Sequence, residues 1–170
     1  MLPRALLVVR HAIAAERGED WPDDDLRPLT ERGVSRFQTA LRGIDWVGVE
    51  LDEVWSSPLV RAHQTADLLA AALGGPPVRT LDALAPGHAP EATAAALDRA
   101  TRHQRLALVG HEPGLGELAG WLLGAARPLP FRKGGACRID VGALSRAGSG
   151  ELLWFLPPRV LRRLSGVHTP

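Results

Sequence analysis

The heptapeptide Ala5–His11 (ALLVVRH) decides the fold class of this chain. Its five apolar residues form a run bounded by polar residues, and a run of this length predicts a buried parallel strand that ends in a loop. Ligands of open α/β sheets bind outside the carboxyl ends of such strands. Arg10 and His11 are therefore expected at the rim of the sheet, with a fixed positive charge beside an imidazole.

A second histidine follows a second apolar run in the same way. Residues 106–109 (LALV) form this run, and Gly110 and His111 come directly after it. Two strands of one parallel sheet would each deliver a histidine to the same edge. Two imidazoles and an arginine at one edge suit an anion, so the sequence predicts a site for phosphoryl chemistry.

Strands and helices alternate along the rest of the chain, which predicts one α/β domain over residues 1–170. The other expected strands are 53–56, 78–81 and a hairpin of 136–141 with 151–155, and the expected helices are 30–41, 62–73, 91–100 and 114–123. Thr30 is the expected N-cap of the first helix. Residues 12–29, which include six acidic residues, are expected to form a solvated, irregular loop. The basic segment that contains Arg159, Arg162 and Arg163 is expected to form a solvated helix.

Composition limits the class of protein. With 170 residues and 18.2 kDa the chain suits one compact domain, and a net charge of +1 gives no reason to expect nucleic-acid or membrane partners. No apolar stretch reaches membrane-spanning length, and the first run is too short for a signal peptide, which predicts a cytoplasmic protein. Cys137 is the single cysteine, so it is expected to be a small core residue.

The chemistry expected at the strand ends is nucleophilic attack by histidine. A neutral imidazole can attack phosphorus when its far nitrogen is held by a hydrogen bond. The transition state spreads charge over three oxygens, and arginine can grip two of them at once. Arg10 lies next to His11, Arg61 lies at the start of an expected helix, and His111 can add a further donor.

Other sites are disfavoured by the spacing of residues. The chain has no HxH, HExxH or CxxC pattern for a metal and no phosphate-binding loop that ends in Gly-Lys-Ser/Thr. His63, His103 and His168 are expected at the surface. The five tryptophans are spread along the chain and are expected to pack in the core rather than to form a stacking platform.

Four segments, taken in order, resemble the histidine phosphatase superfamily and, within it, the small phosphohistidine phosphatases of the SixA type. The segments are Leu7–Ala12 (LVVRHA), Arg27–Gly33 (RPLTERG), Ser56–Ala66 (SSPLVRAHQTA) and Val109–Leu115 (VGHEPGL), and they span about residues 5–123. Each segment alone is a weak signal, and four in family order are a specific one.

The resemblance implies a three-layer α/β/α fold with a mostly parallel sheet, and a phosphatase that needs no metal or cofactor. It also implies that His11 is the phosphorylated nucleophile and that Arg10, Arg61 and His111 hold the phosphate. Arg27 matches an arginine of the small phosphatases that reaches the same pocket. The implied partner is a phosphate-bearing substrate, and a histidine-phosphorylated protein is the one that the SixA type suggests.

Two departures from the family pattern narrow the expected function. Ala12 stands where most members have glycine, which is typical of the SixA-like branch. The glutamate that serves as proton donor in the mutases has no clear equivalent, and Asp82, His88 and Glu91 are the nearest candidates. Imidazole has a conjugate-acid pKa of about 6.5 and leaves with little help, so such a site favours phosphoramidates such as phosphohistidine, acyl phosphates or aryl phosphates over sugar phosphates. A small-molecule phosphatase or mutase-like enzyme and a non-catalytic phosphate-binding module are the alternatives.

Overall fold

A computed structural model describes residues 4–166 of the chain, so His168 lies outside the described residues. The strands are β1 (Arg4–Arg10), β2 (Glu53–Ser56), β3 (Val78–Thr80), β4 (Arg105–Gly110), β5 (Ala136–Val141) and β6 (Gly150–Leu156). The helices are α1 (Glu31–Trp46), α2 (Val60–Ala72), α3 (Pro90–Ala100), α4 (Gly114–Leu123) and α5 (Pro158–Leu164). Apart from the end of α1, the expected strands and helices agree with these bounds to within two residues at each end.

One six-stranded sheet runs through the molecule in the order β3-β2-β4-β1-β5-β6. The first four strands in this order are parallel, while β5 and β6 are antiparallel additions at one side. β1 has a neighbour on each edge, and Leu6–Val9 are at most 1% exposed. Burial on both faces explains why this strand reads as a continuous apolar run rather than an alternating one.

Successive side chains of the central strands point to opposite faces and form two separate cores. Leu6 and Val8 pack with α3 and α4 on one face of the sheet. Leu7 and Val9 pack with α1, α2 and α5 on the other face. The expected three-layer α/β/α fold with a mostly parallel sheet is therefore confirmed.

The first helix is longer than the sequence predicts. The expected end at residue 41 is wrong, since α1 continues to Trp46. Phe37, Leu41 and Ile44 are all buried and follow one another at helical spacing, so the apolar stripe extends for another turn. The N-cap agrees with the prediction, because the Thr30 hydroxyl accepts a hydrogen bond from the Gly33 amide at 2.9 Å.

Gly43 lies inside α1, where a glycine would ordinarily suggest a helix end. Its Cα faces the backbone of α5 so closely that a Cβ there would overlap the carbonyl oxygen of Leu161. Leu161 itself is fully buried against α1 and α2. The basic C-terminal segment forms the expected helix, with Arg159 and Arg163 exposed, but it is not wholly solvated, because it packs against α1 through the buried side chain of Leu161.

We expect Gly43→Ala to destabilise the protein, although alanine is the better helix former by about 1 kcal/mol. Overlap with the Leu161 carbonyl forces α5 away from α1, and overpacking of this kind costs about 1–3 kcal/mol. Urea denaturation measures the free energy of unfolding. Gly18→Ala is the matched control, because a Cβ at Gly18 meets nothing within 4 Å. An unchanged or raised stability of Gly43→Ala would contradict the packing described.

Two smaller expectations are wrong. Residues 12–29 are not wholly irregular, because Asp24–Leu26 form a 3₁₀ turn that the Asp23 carboxylate caps by accepting from the Asp25 amide at 3.0 Å. Trp46 is 46% exposed, because it follows the buried stripe of α1 on the side that faces solvent. Cys137, by contrast, is fully buried in the core, as expected.

Candidate active site

Three neighbouring parallel strands end at the same edge of the sheet, and a polar side chain follows each of them. His11 comes after β1, Ser57 after β2 and His111 after β4. The register holds these ends level, since the His11 amide donates to the Gly110 carbonyl at 3.0 Å and the Ser57 amide to the Val109 carbonyl at 2.9 Å. The two imidazole rings come to 5.0 Å between centroids, as the sequence predicts for strand ends that meet.

His11 is held as a neutral imidazole with one nitrogen free. Its Nδ1 donates to the Ala12 carbonyl at 2.7 Å, which leaves Nε2 with the lone pair. Burial, together with the charges of Arg61 and Arg10, lowers the pKa of His11 to about 4. At neutral pH the ring is therefore uncharged and can act as a nucleophile.

His111 presents a donor rather than a nucleophile. Its Nε2 lies 2.8 Å from the Ser57 hydroxyl, which also accepts from the Leu59 amide at 3.3 Å. Among residues 4–166 this hydroxyl has no acceptor other than His111 Nε2, so we infer that it donates to Nε2 and that the ring proton of neutral His111 lies on Nδ1. Nδ1 is buried and has no hydrogen-bond partner among the described residues. Burial and the proximity of His11 lower the pKa of His111 to about 3.

The two predicted arginines add charge and further donors around the histidines. Arg10 donates from Nη1 to the Phe131 carbonyl at 2.8 Å, and its Nε has no partner among residues 4–166. Arg61 is buried, and its Nε is unpartnered in the same way. Together with His111 Nδ1, these groups form a set of buried donors that an anion of several oxygens would satisfy.

Asp24 was expected in a solvated loop, but it contacts Arg61 and two neighbouring arginines. Its backbone carbonyl accepts from Arg61 Nη1 at 2.6 Å, and its carboxylate accepts from Arg61 Nη2 at 2.9 Å. The other carboxylate oxygen accepts from Arg17 Nε at 2.6 Å and Arg27 Nε at 2.8 Å. Asp24 therefore fixes the end of the Arg61 guanidinium and leaves its Nε edge free.

Arg27 and Arg61 both donate to the Asp24 carboxylate, which holds the two arginines close together. Burial alone would raise the pKa of Asp24, but the hydrogen bonds from Arg17 and Arg27 and the charge of Arg61 hold that pKa well below its ordinary value. Asp24 is consequently ionised at all pH values at which the protein is expected to work. Its contacts span up to 37 residues of sequence, and none of the six acidic residues in the loop carries a local signal that singles it out.

The helix that carries Arg61 also anchors the loop after His11. Thr65 is fully buried, and its hydroxyl accepts from the Ala12 amide at 3.0 Å while it donates to the Arg61 carbonyl at 2.7 Å. Gln64 accepts from the Leu29 amide at 2.7 Å through its side-chain oxygen. The Gln-Thr-Ala part of the third segment thus positions backbone and is not itself part of the donor set.

The three residues considered as proton donors, Asp82, His88 and Glu91, are all exposed. Two charged residues near the site were missed. The half-buried Glu112 follows His111; burial raises the pKa of its carboxyl, which accepts from the Gly116 amide at 3.1 Å. Lys133 contributes its charge to the lowered pKa of His11. A signal existed for Lys133, since it is the single lysine of the chain.

Other expectations concern residues away from the site. His63 and His103 have side chains that are 43% and 57% exposed, in agreement with the prediction. Within residues 4–166, no three metal-ligating side chains of His, Cys, Asp or Glu gather into a possible metal site. A search of the same residues finds no helix with both the length and the apolar character needed to cross a membrane.

Known proteins share this sequence and architecture. A protein of Picosynechococcus without an assigned function is 41% identical over 116 residues, which are 67% of this chain and 70% of that protein. A 2,3-bisphosphoglycerate-dependent phosphoglycerate mutase of Beijerinckia indica is 35% identical over 83 residues, 46% of this chain and 39% of the mutase. The protein histidine phosphatase SixA, solved with tungstate, superposes with a TM-score of 0.80 and 25% identity over 92% of this chain and 99% of SixA.

The family assignment rests on the sequence model as well as on the fold. The model of the histidine phosphatase superfamily (branch 1) matches residues 6–105, which include His11 and Arg61. That match covers more than half of the chain and includes three of the four segments that suggested the same resemblance, while the fourth, Val109–Leu115, lies beyond it. This chain belongs to the histidine phosphatase superfamily.

Proposed function

We propose that this chain hydrolyses phosphohistidine, a phosphoramidate, on another protein through a phosphorylated His11 intermediate. The arrangement of His11 supports the nucleophilic role, because its Nε2 is unprotonated, its ring lies 5.0 Å from that of His111, and the charges of Arg10 and Arg61 are near enough to lower its pKa. In this scheme the donors hold the phosphoryl oxygens, and no metal or cofactor takes part.

The proposed reaction has two steps with the same kind of leaving group. In the first step the far ring nitrogen of the substrate phosphohistidine carries a proton from solvent, His11 Nε2 forms a bond to phosphorus, and the P–N bond to the substrate histidine breaks so that neutral imidazole departs. In the second step water attacks phosphorus, the bond to His11 breaks, and inorganic phosphate and neutral His11 are released. Imidazole departs in both steps, so both have a leaving group whose conjugate-acid pKa is about 6.5.

The state of Asp24 is the observation that carries the choice of substrate, because the other acid near the site, Glu112, has its carboxylate against α4, where it accepts from the Gly116 amide at 3.1 Å. Asp24 is the carboxylate whose charge acts on the pKa of His111, and three arginines keep it ionised. An ionised carboxylate cannot give a proton to a departing alkoxide, which needs a general acid. A phosphoramidate needs much less help, and the similarity to SixA, a protein histidine phosphatase, supports the same substrate class.

A substrate panel tests this proposal. Phosphate release is measured from a histidine-phosphorylated protein, from phospholysine and from 3-phosphoglycerate, with equal enzyme concentrations. We expect the two phosphoramidates to be hydrolysed fastest. Faster hydrolysis of 3-phosphoglycerate would indicate a proton donor and a small-molecule phosphatase or mutase-like enzyme. Tight binding of phosphate without hydrolysis of any substrate would indicate a non-catalytic module.

The pH dependence should reflect the lowered pKa of His11. Because that pKa is about 4, the neutral form persists when the pH falls from 7 to 5, and the nucleophile is lost only as the pH falls through about 4. An ordinary histidine would be lost near pH 6.5. NMR titration of the His11 ring in the free protein gives this midpoint directly. A midpoint near 6.5 would contradict the burial and charge environment of the ring.

Ser57→Ala should impair catalysis through His111. Without the hydroxyl, the proton of His111 is free to move to Nε2, and Nδ1 stops being a donor. Loss of one donor to a developing oxyanion costs about 10²–10³ in kcat, and partial loss of the correct tautomer should cost about tenfold. The ¹⁵N shifts of the His111 ring report the tautomer independently of activity.

Ser56→Ala is the matched control for Ser57→Ala. Ser56 is equally buried, and its hydroxyl donates to the Ser57 carbonyl at 2.8 Å rather than to a histidine. We expect it to leave the His111 tautomer unchanged. Equal loss of activity in both variants, with unchanged ¹⁵N shifts, would show that Ser57 acts only in packing.

A further inference from the structure

Three basic side chains from separate elements line one narrow cleft beside the candidate active site. They are Arg36 of α1, Lys133 of the segment before β5 and Arg162 of α5, and the cleft, here named the basic cleft, also includes Ala12 and Ile13. None of the three belongs to the donor set around His11.

Carboxylates do not neutralise the basic cleft. Among residues 4–166, neither its three basic side chains nor Arg159 lies in an ion pair, whereas Arg105, away from the site, is paired with both Asp52 and Glu50. Burial and repulsion by Arg36 and Arg159 lower the pKa of Arg162. Like charges held together without a counterion destabilise the free protein, and an anionic group in the cleft would remove that cost.

The basic cleft adjoins the phosphoryl site. Ala12 lines the cleft, and its carbonyl accepts the hydrogen bond from His11 Nδ1. The Gly134 amide, next to Lys133, donates to the His11 carbonyl at 3.1 Å. An extended chain advances about 3.3–3.6 Å per residue, so a side chain within a few residues of a bound phosphohistidine can reach the cleft.

We propose that the basic side chains at the mouth of the basic cleft, whose interior of about 20 Å³ holds little more than one water, bind acidic side chains that flank the phosphohistidine of the substrate protein. This inference rests on the proposed function, because it assigns a specificity determinant to the same site. The phosphoryl group occupies the donors of Arg10, Arg61 and His111, and Arg36 and Arg162 pair with an Asp or Glu near it in sequence. Arginine suits this task because its guanidinium grips a carboxylate through two parallel hydrogen bonds.

Two phosphohistidine peptides of equal length test the proposal, one with aspartates around the phosphohistidine and one with asparagines in the same positions. We expect wild-type protein to show a higher kcat/KM for the acidic peptide, and the preference to shrink as salt is added. Arg36→Gln/Arg162→Gln should lower kcat/KM for the acidic peptide by about fivefold, the size expected for two partly exposed ion pairs. Turnover of the asparagine peptide should change by less than about twofold.

Arg42→Gln/Arg163→Gln is the matched control. It removes the same charge from the same two helices, and both side chains are exposed and lie outside the cleft. We expect it to keep the preference for the acidic peptide. Equal losses of kcat/KM for the acidic peptide in the two double variants would show that only the net charge of the protein matters, and this result would overturn the proposal.

The remaining outcomes separate this inference from the proposed function. Equal turnover of both peptides by wild-type protein overturns the acidic-substrate inference and leaves phosphohistidine hydrolysis standing. Turnover of neither peptide overturns both. A third outcome is that wild-type protein shows no preference between the peptides but prefers 3-phosphoglycerate to glycerol phosphate, and that Arg36→Gln/Arg162→Gln abolishes this preference. The cleft would then bind the carboxylate of a small molecule, and the peptide assignment would be overturned.

Discussion

Replacing His11 by alanine is expected to abolish phosphate release and to leave no covalently labelled protein. Removal of a catalytic nucleophile costs about 10⁴-fold or more in kcat, because the remaining donors can only bind the substrate. Turnover of a ³²P-labelled phosphoramidate, stopped within milliseconds, should show acid-labile label on wild-type protein. The label should be absent from His11→Ala.

His63→Ala is the control for this change. His63 lies two residues after Arg61, but its ring is exposed and forms an i,i+4 pair with Asp67 at 3.3 Å. It should retain both the label and the full rate. Residual label on His11→Ala would show that another residue is the nucleophile. An unchanged rate of His11→Ala, with no label on either protein, would favour direct attack by water.

The part of the site that could be predicted from sequence depends on strand ends. An apolar run of four or five residues followed by a histidine marks where a buried strand stops, and the edge of a parallel sheet then fixes which residues meet. His11 and His111 follow this rule, and the register of Arg10 with Gly110 brings them together. Local periodicity and short runs were therefore enough for the α/β class and the two imidazoles, whereas the three-layer order was implied by the family resemblance.

The part that could not be predicted depends on long-range contacts of ordinary residues. Ser57 meets His111 across 54 positions, and Asp24 meets Arg61 across 37. A serine beside a strand and an aspartate in an acidic loop look alike whether or not they contact a catalytic group. The predicted loop was thus placed in solvent, although one of its carboxylates determines how Arg61 is held.

Gly43 shows a different limit. Glycine often marks a helix end, but α1 runs through Gly43 to Trp46, beyond the predicted end at residue 41. The apolar spacing of Phe37, Leu41 and Ile44 indicates that the helix continues past residue 41. The glycine is required by the approach of α5, a contact between segments more than 100 residues apart.

Arg61→Lys is expected to lower kcat/KM by about a hundredfold, the loss typical of one missing donor to a developing oxyanion. The end of the Arg61 guanidinium donates to the backbone carbonyl and the carboxylate of Asp24 at 2.6 and 2.9 Å, and Nε remains free. This geometry turns the Nε edge into a donor of fixed direction. A lysine has one ammonium group, so it cannot keep both contacts with Asp24 and offer a second, fixed donor to the phosphoryl group.

Arg17→Lys is the control that separates the donor role of Arg61 from its ion pair with Asp24. Arg17 donates to the same carboxylate at 2.6 Å, but its side chain is 77% exposed and its contacts among the described residues do not include the histidines. We expect less than about a twofold change for Arg17→Lys, as for most exposed ion pairs. Tungstate binding, measured by calorimetry, should weaken in Arg61→Lys and remain unchanged in Arg17→Lys. Equal losses in the two variants would mean that Asp24 needs both arginines only to order its loop, and the anion would then be held by Arg10 and His111 without Arg61.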